Sequence, residues 1–386
     1  MKVFVDGRFL SQPVTGVQRY GRELLSAFDD LLNNQTLASS VSIEVLAPHG
    51  RAMDFTARHI PLRRVGWFSG HIWEQFVLPL TAKGGVLFCP SNTAPIASLL
   101  FAQPVVVTVH SLSFLHQPTS YTGVFRCLYG FVVRLACRFA RAIITPSQAE
   151  KQALVSLYPA AAGRIHDVQN GGLPRAFGDD MAEAGQHIQV LEEPFVLFVG
   201  SLVESKNLQT LLEAMTLVNN RTRLPLRVVG GCGNGLRPAK YRIAPAIHPR
   251  VTFEGQVGLD RLVQLYRNAL CLVFPSYYEA SPLPPLEAMA LGCPVIASRI
   301  PALVERCADA ALYCDPSNAE AIARQILQLV ESSDLRAALR QRGFERAAAF
   351  GWDRTAAETL SIILKVAGKH GDDEDRARGP TNKGLA

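Results

Sequence analysis

Short, mostly apolar runs alternate with helix-length amphipathic stretches along almost the whole chain, and they do so in two series. Apolar strands each followed by a helix are the pattern of parallel sheets with crossover helices. In the first series the candidate strands are residues 3–5, 41–47, 86–89, 105–109, 142–145 and 165–168, with a first helix over 19–32. In the second they are 195–199, 226–229, 251–254, 270–274 and 294–297, with helices over 207–218, 260–268, 284–291, 319–331 and 334–350, and a last amphipathic helix over 352–366. Residues 174–193, polar and irregular with proline at either end, read as a linker. From Lys369 onward Leu385 is the one large aliphatic residue, so a disordered tail over 369–386 is expected.

At 386 residues the chain exceeds one comfortable core, and an α/β protein with two doubly wound domains follows. The expected domains are 1–173 and 194–350, with a helix over 351–368 packing back on the first. Two such halves place a ligand cleft between them, at the carboxyl ends of the strands.

Composition narrows the functions. With 48% hydrophobic and 19% charged residues, intrinsic disorder, collagen and coiled coil are excluded. Residues 84–125 contain no Asp, Glu, Lys or Arg, yet Pro90, Pro95, Pro104 and Pro118 interrupt them. No apolar helix of about 20 residues survives, so no membrane span is expected. Asp6 and Arg8 break the first ten residues, which read as a strand rather than a secretory signal, and a cytoplasmic protein is expected. Eight cysteines offer no C-x-x-C pair, so they read as reduced core thiols rather than a zinc or dithiol motif. Residues 1–173 carry 15 Lys and Arg against 9 Asp and Glu, and residues 174–386 carry 24 against 24. The net charge of +6 therefore lies in the N-terminal half, too diffuse for nucleic acid but suited to an anionic small molecule or an anionic lipid surface.

The sharpest constellation is the run from Glu279 to Glu287. Glu279 lies just past an apolar strand, and Pro284 and Pro285 suit a helix's first turn, which places Glu287 early in that helix. A helix N-terminus favours phosphate, and carboxylates accept from sugar hydroxyls. Two acids at this spacing are equally at home on a solvated face. The run Gly230-Gly231-Cys232-Gly233-Asn234-Gly235 looks like a dinucleotide loop, but Leu236 replaces the third glycine and Pro238 and Pro245 spoil the helix that should follow, so NAD is not expected.

The whole run SYYEASPLPPLEAMALGCPVIAS resembles the signature of the retaining glycosyltransferases of family 4, which have the GT-B fold of two Rossmann-like domains. Further resemblances come in the family's order: Val105 to His110 with Phe114 and Pro118, Thr145-Pro146-Ser147, Val168-Gln169-Asn170-Gly171, Phe198-Val199-Gly200-Ser201 with Lys206-Asn207, Phe253 to Val257, Leu265-Tyr266, and Phe350-Gly351-Trp352 with Arg354-Thr355-Ala356. They cover roughly residues 1–366.

The resemblance implies metal-free transfer of a hexose, with retention, from a nucleotide diphosphate sugar. Carried over, Glu287 accepts the donor ribose hydroxyls, Glu279 contacts the transferred sugar, and Lys206 neutralises the diphosphate. Gly16 lets the N-terminal loop approach that diphosphate, and His110 hydrogen-bonds the sugar. The backbone at Gln256-Val257 reads the base edge, and Leu283 completes the donor contacts. No resident cofactor or metal is implied; the favoured donor is GDP-mannose. The acceptor is a glycan or lipid-linked oligosaccharide of surface polysaccharide biosynthesis, and the enzyme sits at the inner face of the cell membrane. Three positions depart from the family pattern: Ala280-Ser281-Pro282 replaces Gly-Phe-Gly, Ser205 replaces the first of two cations, and Ser111 replaces an Asp. An altered donor pose or a weakened enzyme is the expected consequence. An inactive scaffold of the same fold, or a nucleotide-sugar epimerase or phosphorylase, stays open.

Residues 126–141 are expected to form a helix. At about 100° per residue, Arg126, Arg134, Arg138 and Arg141 fall within about 120° of one another. Leu128, Val132, Leu135 and Phe139 lie opposite, which suits either an interfacial helix on an anionic leaflet or ordinary packing on its own domain.

Overall fold

The computed structural model describes residues 1–33, 41–49, 55–101, 103–173, 193–232 and 236–378. Within them the chain builds two parallel sheets, as the alternation predicts. The first takes β1 (Lys2–Asp6), β2 (Ser42–Ala47), β3 (Leu62–Arg64), β4 (Val86–Cys89), β5 (Val105–Thr108), β6 (Ala142–Thr145) and β7 (Ile165–Asp167) in the order β3-β2-β1-β4-β5-β6-β7. The second takes β8 (Phe195–Val199), β9 (Leu226–Val229), β10 (Val251–Gly255), β11 (Ala269–Phe274), β12 (Val295–Ser298) and β13 (Ala311–Cys314) in the order β10-β9-β8-β11-β12-β13. Register is fixed by apolar partners, such as Val5 opposite both Val45 and Phe88, and Leu197 opposite Leu272. The strand order reverses between β1 and β4 and between β8 and β11, which makes two switch points where loops splay apart.

Two short strands have no counterpart in the sequence reading. Leu62–Arg64 is a three-residue edge strand with two exposed arginines, and Ala311–Cys314 is half-buried at the opposite edge of the other sheet. Leu62–Arg64 lacks the apolar run of a central strand, whereas Ala311–Cys314 is apolar but short.

Each sheet is covered on both faces. On one face of the first sheet, the helix Gly16–Leu31 packs with Trp352, Ala356, Leu360 and Ile363 of the last helix. These four lie on one side of a helix, and burying each large apolar side chain contributes about 1.5–3 kcal/mol. The last helix runs through to Arg378, past Lys369, where the sequence reading expects a disordered tail. A helix already nucleated continues at little cost through residues that include no proline before Pro380. Residues 379–386, like the linker at 174–192, lie outside the described residues.

The other face carries the helices Gly70–Phe76, Leu78–Thr81, Ile96–Leu100, Gly123–Phe139 and Gln148–Leu157. Here the arginine helix is rotated from its expected phase. It buries Val132, Val133, Ala136 and Cys137, while Leu128 and Phe139 stay exposed and Arg141 lies beyond its end. Small and β-branched side chains let the helix sit close to the sheet, whereas the bulkier Leu128 and Phe139 do not fit beneath it.

The chain passes between the two halves twice, and the crossings touch. The Gly172 N–H donates to the Phe350 carbonyl (3.1 Å), Trp352 Nε1 to the Leu173 carbonyl (2.9 Å), and Thr355 Oγ1 to the Gln169 carbonyl (2.8 Å). A Cβ on Gly171 would lie 2.5 Å from the Trp352 ring, so only glycine allows this approach. On the same side, the Glu305 carboxylate accepts the Gln148 and Ala149 N–H groups (2.8 and 2.9 Å) and Gln169 Nε2 (2.7 Å). An acid from one half thus caps a helix of the other.

Candidate active site

Both switch points open into one cleft. After β8 the chain turns through Glu204–Lys206, and Asn207 adopts a left-handed conformation (φ 57°) before the helix Leu208–Asn219. The Asn207 amide pins this turn by donating to the Pro275 carbonyl (2.9 Å) and the Pro316 carbonyl (2.6 Å). Lys206 Nζ is thereby held 2.5 Å from Glu279 Oε1 and 5.5 Å from the Phe274 ring centre. Glu279 follows β11 from the other side of the switch point, with its side chain 9% exposed. The expected lysine and sugar-contacting acid therefore form one pair.

Glu287 lies in the first turn of the helix Pro284–Ala290, whose N-cap is Leu283, and is buried. Its two oxygens have different partners. Oε2 accepts from the buried Tyr266 hydroxyl (2.9 Å), and Oε1 accepts from Arg19 Nη1 (2.5 Å), which reaches across the cleft from the N-terminal half. Arg19 is three residues beyond Gly16, where the helix begins, and a Cβ at Gly16 would meet nothing within 4 Å, so space is open there. The loops after β8 and β9 meet at Gly230, where φ is 137° and a Cβ would come 1.9 Å from the Gly200 carbonyl oxygen; no other residue fits. Gly231 lies against the side chain of Gln256, and Val257 packs partly buried on the core of the C-terminal half.

On the N-terminal side His110 follows β5. Its backbone N–H donates to Asn92 Oδ1 (2.5 Å), and Nε2 lies 2.7 Å from the Pro90 carbonyl. A carbonyl can only accept, so Nε2 carries the proton and Nδ1 keeps its lone pair. Burial lowers the imidazole to about 4, against the opposing effect of the Pro90 bond, so the ring is neutral and stands edge-on to Tyr20 at 4.6 Å. Beneath β1 and β4 is a buried network of Asp6, Arg8, Glu74 and Thr93. Arg8 Nη2 donates to Thr93 Oγ1 (3.0 Å), and Nε lies 3.5 Å from Glu74 Oε2. Burial and the neighbouring Glu74 push the Asp6 carboxyl up to about 7.

Further contacts close the cleft mouth. The Ser205 N–H donates to Ser120 Oγ (3.2 Å), Tyr121 bridges Leu236, and His116 stacks on Tyr278 at 4.7 Å. Tyr278 donates to Glu150 Oε2 (2.7 Å), and the Leu112 N–H donates to the other oxygen. Burial pushes the Glu150 carboxyl up to about 7 despite both bonds. A carboxyl raised above its usual value near 4.3 holds a proton in the fold that the unfolded chain releases, so folding stability falls as pH rises from about 4 through 7. Glu150→Gln keeps the shape without the charge. Thermal melts at pH 5 and pH 8 should show the variant losing less stability than the wild type, by on the order of 3 kcal/mol; Asp6, raised in the same direction, leaves a residual slope in both.

The structure thus joins Lys206 with Glu279 and sets Glu287, Gly16 and His110 around the same opening. Arg19, Tyr278 and Glu150 carry no signal in the sequence beyond the neighbourhood of Gly16 and Glu279, since each acts through a partner more than a hundred residues away.

Comparison with known proteins fits this arrangement. Residues 182–346 match the family model described as glycosyl transferases group 1, and residues 86–171 match glycosyltransferase family 4, together nearly two-thirds of the chain. The chain is 28% identical to O-antigen chain mannosyltransferase B of Escherichia coli, over 94% of this chain and 99% of that one. It is 24% identical to the O-antigen chain mannosyltransferase RfbU of Salmonella typhimurium, over 80% of this chain and 85% of that one. Among solved structures, sucrose-phosphate synthase from Thermosynechococcus elongatus superposes with a TM-score of 0.68 at 20% identity, covering 95% of this chain and 98% of that one. Anabaena HepE in complex with UDP-glucose gives 0.63 at 17% identity, covering 96% and 99%.

Proposed function

This chain belongs to the family 4 glycosyltransferases of the GT-B fold, and from that premise we propose that it transfers mannose from GDP-mannose to a lipid-linked oligosaccharide, with retention and without a metal, in the making of a surface polysaccharide. The observation that carries the reading is the pairing of two acids with two cations where the sheets end, Lys206 with Glu279 within the C-terminal half and Arg19 with Glu287 across the cleft. Likeness to two O-antigen mannosyltransferases supports the sugar and the acceptor class.

In this reading Glu287 takes the donor ribose, Glu279 a hydroxyl of the mannose and Lys206 the diphosphate, while Gly16 leaves room for the phosphates. The backbone at Gln256 and Val257 meets the base, with Leu283 beside the ribose, and His110 accepts a sugar hydroxyl at its free Nδ1. The acceptor hydroxyl attacks the anomeric carbon on the face from which the diphosphate departs. The bond to the diphosphate breaks as the new bond forms, and the departing phosphate oxygen takes the acceptor proton. With its imidazole lowered to about 4 by burial, His110 binds a proton too weakly to serve as the base for this step, and the lysine stabilises charge where it develops. Incubation with GDP-mannose, a lipid-linked acceptor and EDTA should give an α-linked product. A β-linked product overturns retention, activity restored only by Mn²⁺ overturns the metal-free step, and transfer from UDP-glucose alone overturns the donor.

Peripheral contact with the inner membrane face is part of the proposal. Between Asp54 and Glu150 the sequence carries eight Lys and Arg and one acid, Glu74, which is buried. The helical layer of this region exposes Trp67 (99%), Phe76 (67%), Leu80 (69%), Phe101 (81%) and Val124 (81%). Its helices are tied together: Gln75 bonds the Ala94 carbonyl and the Ile96 N–H, and His71 meets Tyr129 edge-on. Apolar side chains among cations suit an anionic leaflet, where each cation contributes about 1 kcal/mol. No described helix is long and apolar enough to cross a membrane. Sedimentation with vesicles of phosphatidylglycerol and phosphatidylethanolamine should retain the wild type at low salt. It should release a variant with Arg134, Arg138 and Arg141 changed to Gln, and vesicles of phosphatidylcholine should retain neither. Equal binding of both proteins to both vesicles would remove the electrostatic part of this reading.

A further inference from the structure

We propose that Arg19 is a second cation for the donor diphosphate, held on Glu287 while the cleft is empty and handed to the phosphates when the ribose arrives. This deepens the nucleotide-sugar reading above and rests on it.

Four observations lead there. First, each oxygen of Glu287 already accepts one hydrogen bond, Oε1 from Arg19 and Oε2 from Tyr266, and Arg19 approaches from across the cleft, so a ribose hydroxyl arriving on that side competes with it for the carboxylate. Second, the two differ in mobility. Tyr266 is 1% exposed within the core of its own domain, whereas the Arg19 side chain is 18% exposed and comes from the opposite half of the molecule. Arg19 is therefore the partner that gives way. Third, its Nε and Nη2 are buried and meet no hydrogen-bond partner among the described residues, so most of the guanidinium fork is unspent. A planar fork with free donors matches phosphate oxygens better than a lone carboxylate oxygen does. Fourth, Lys206 is already paired with Glu279, and a nucleoside diphosphate brings more negative charge than one lysine balances.

The exchange conserves ion pairing. Ribose hydroxyls replace Arg19 on Glu287, and the released guanidinium moves to the phosphates beside Gly16, three residues away on the same turn. The diphosphate, rather than the base, then draws the N-terminal half onto the donor.

The test uses the full-length protein and its Arg19→Gln and Arg19→Lys variants. Each is titrated with GDP, UDP and dTDP by calorimetry, and with guanosine, uridine and thymidine by ligand-observed NMR. The comparison is made with the pair that the wild type binds. Arg19→Gln should weaken the diphosphate about tenfold or more and tighten the nucleoside several-fold, because Glu287 is freed; Arg19→Lys should fall between wild type and Arg19→Gln for the diphosphate. Weakening of both ligands would make Arg19 merely structural, tightening of both would make it only a lock, and no change in either would make the contact irrelevant; each overturns the proposal. A wild type that binds none of the diphosphates overturns the nucleotide-sugar reading itself, a result distinct from the other three.

Discussion

Lys206→Ala should lower kcat/KM by roughly 30- to 1000-fold, on the order of 2–4 kcal/mol of transition-state stabilisation, the scale of losing one preorganised charge-stabilising donor. The lysine is well placed to have so large an effect. Its turn is pinned by Asn207 to two carbonyls, and its ammonium is fixed against Glu279 and the Phe274 ring, so little reorganisation is needed as the diphosphate departs. The loss should fall mainly on kcat, because charge on the leaving oxygen grows toward the transition state. Lys206→Arg should recover part of it. Steady-state kinetics on samples with matched melting temperatures would decide the matter, and rates within threefold of wild type would exclude Lys206 from the chemical step.

Glu287→Gln and Glu279→Gln should both impair the enzyme, but along different axes. A charge-assisted hydrogen bond contributes about 1.5–3 kcal/mol, or roughly 10- to 150-fold. For Glu287, buried and set against the ribose in the proposed reading, that loss should appear in KM with kcat nearly kept. For Glu279, set against the transferred sugar in the same reading, it should appear in kcat. Identical profiles for the two variants would refute the division of roles, and wild-type kinetics in both would refute the site.

Much of the fold was legible because central parallel strands must be apolar on both faces, and the runs at 86–89, 142–145 and 195–199 stand out from their surroundings. Edge strands escape that rule: Leu62–Arg64 needs only one partner and keeps two arginines in water. The phase of the arginine helix was misread for a related reason. A helical wheel ranks side chains by hydropathy, whereas close packing against a sheet selects Val133, Ala136 and Cys137 for their size. The site was legible where the chemistry is local in sequence, as in the run from Glu279 to Glu287. It was not legible where it depends on how two halves meet: nothing near Arg19 announces a partner 268 residues away.

The paired crossings between the halves have a mechanical consequence. Two strands of chain that lie side by side and are bonded to each other act as a hinge with one axis, because sliding or twisting would break the Gly172–Phe350 and Trp352–Leu173 bonds together. Rotation about that axis leaves them intact. A cleft that opened about such an axis would swing along a fixed arc, and on shutting it would bring Arg19 and Glu287 back to the same alignment.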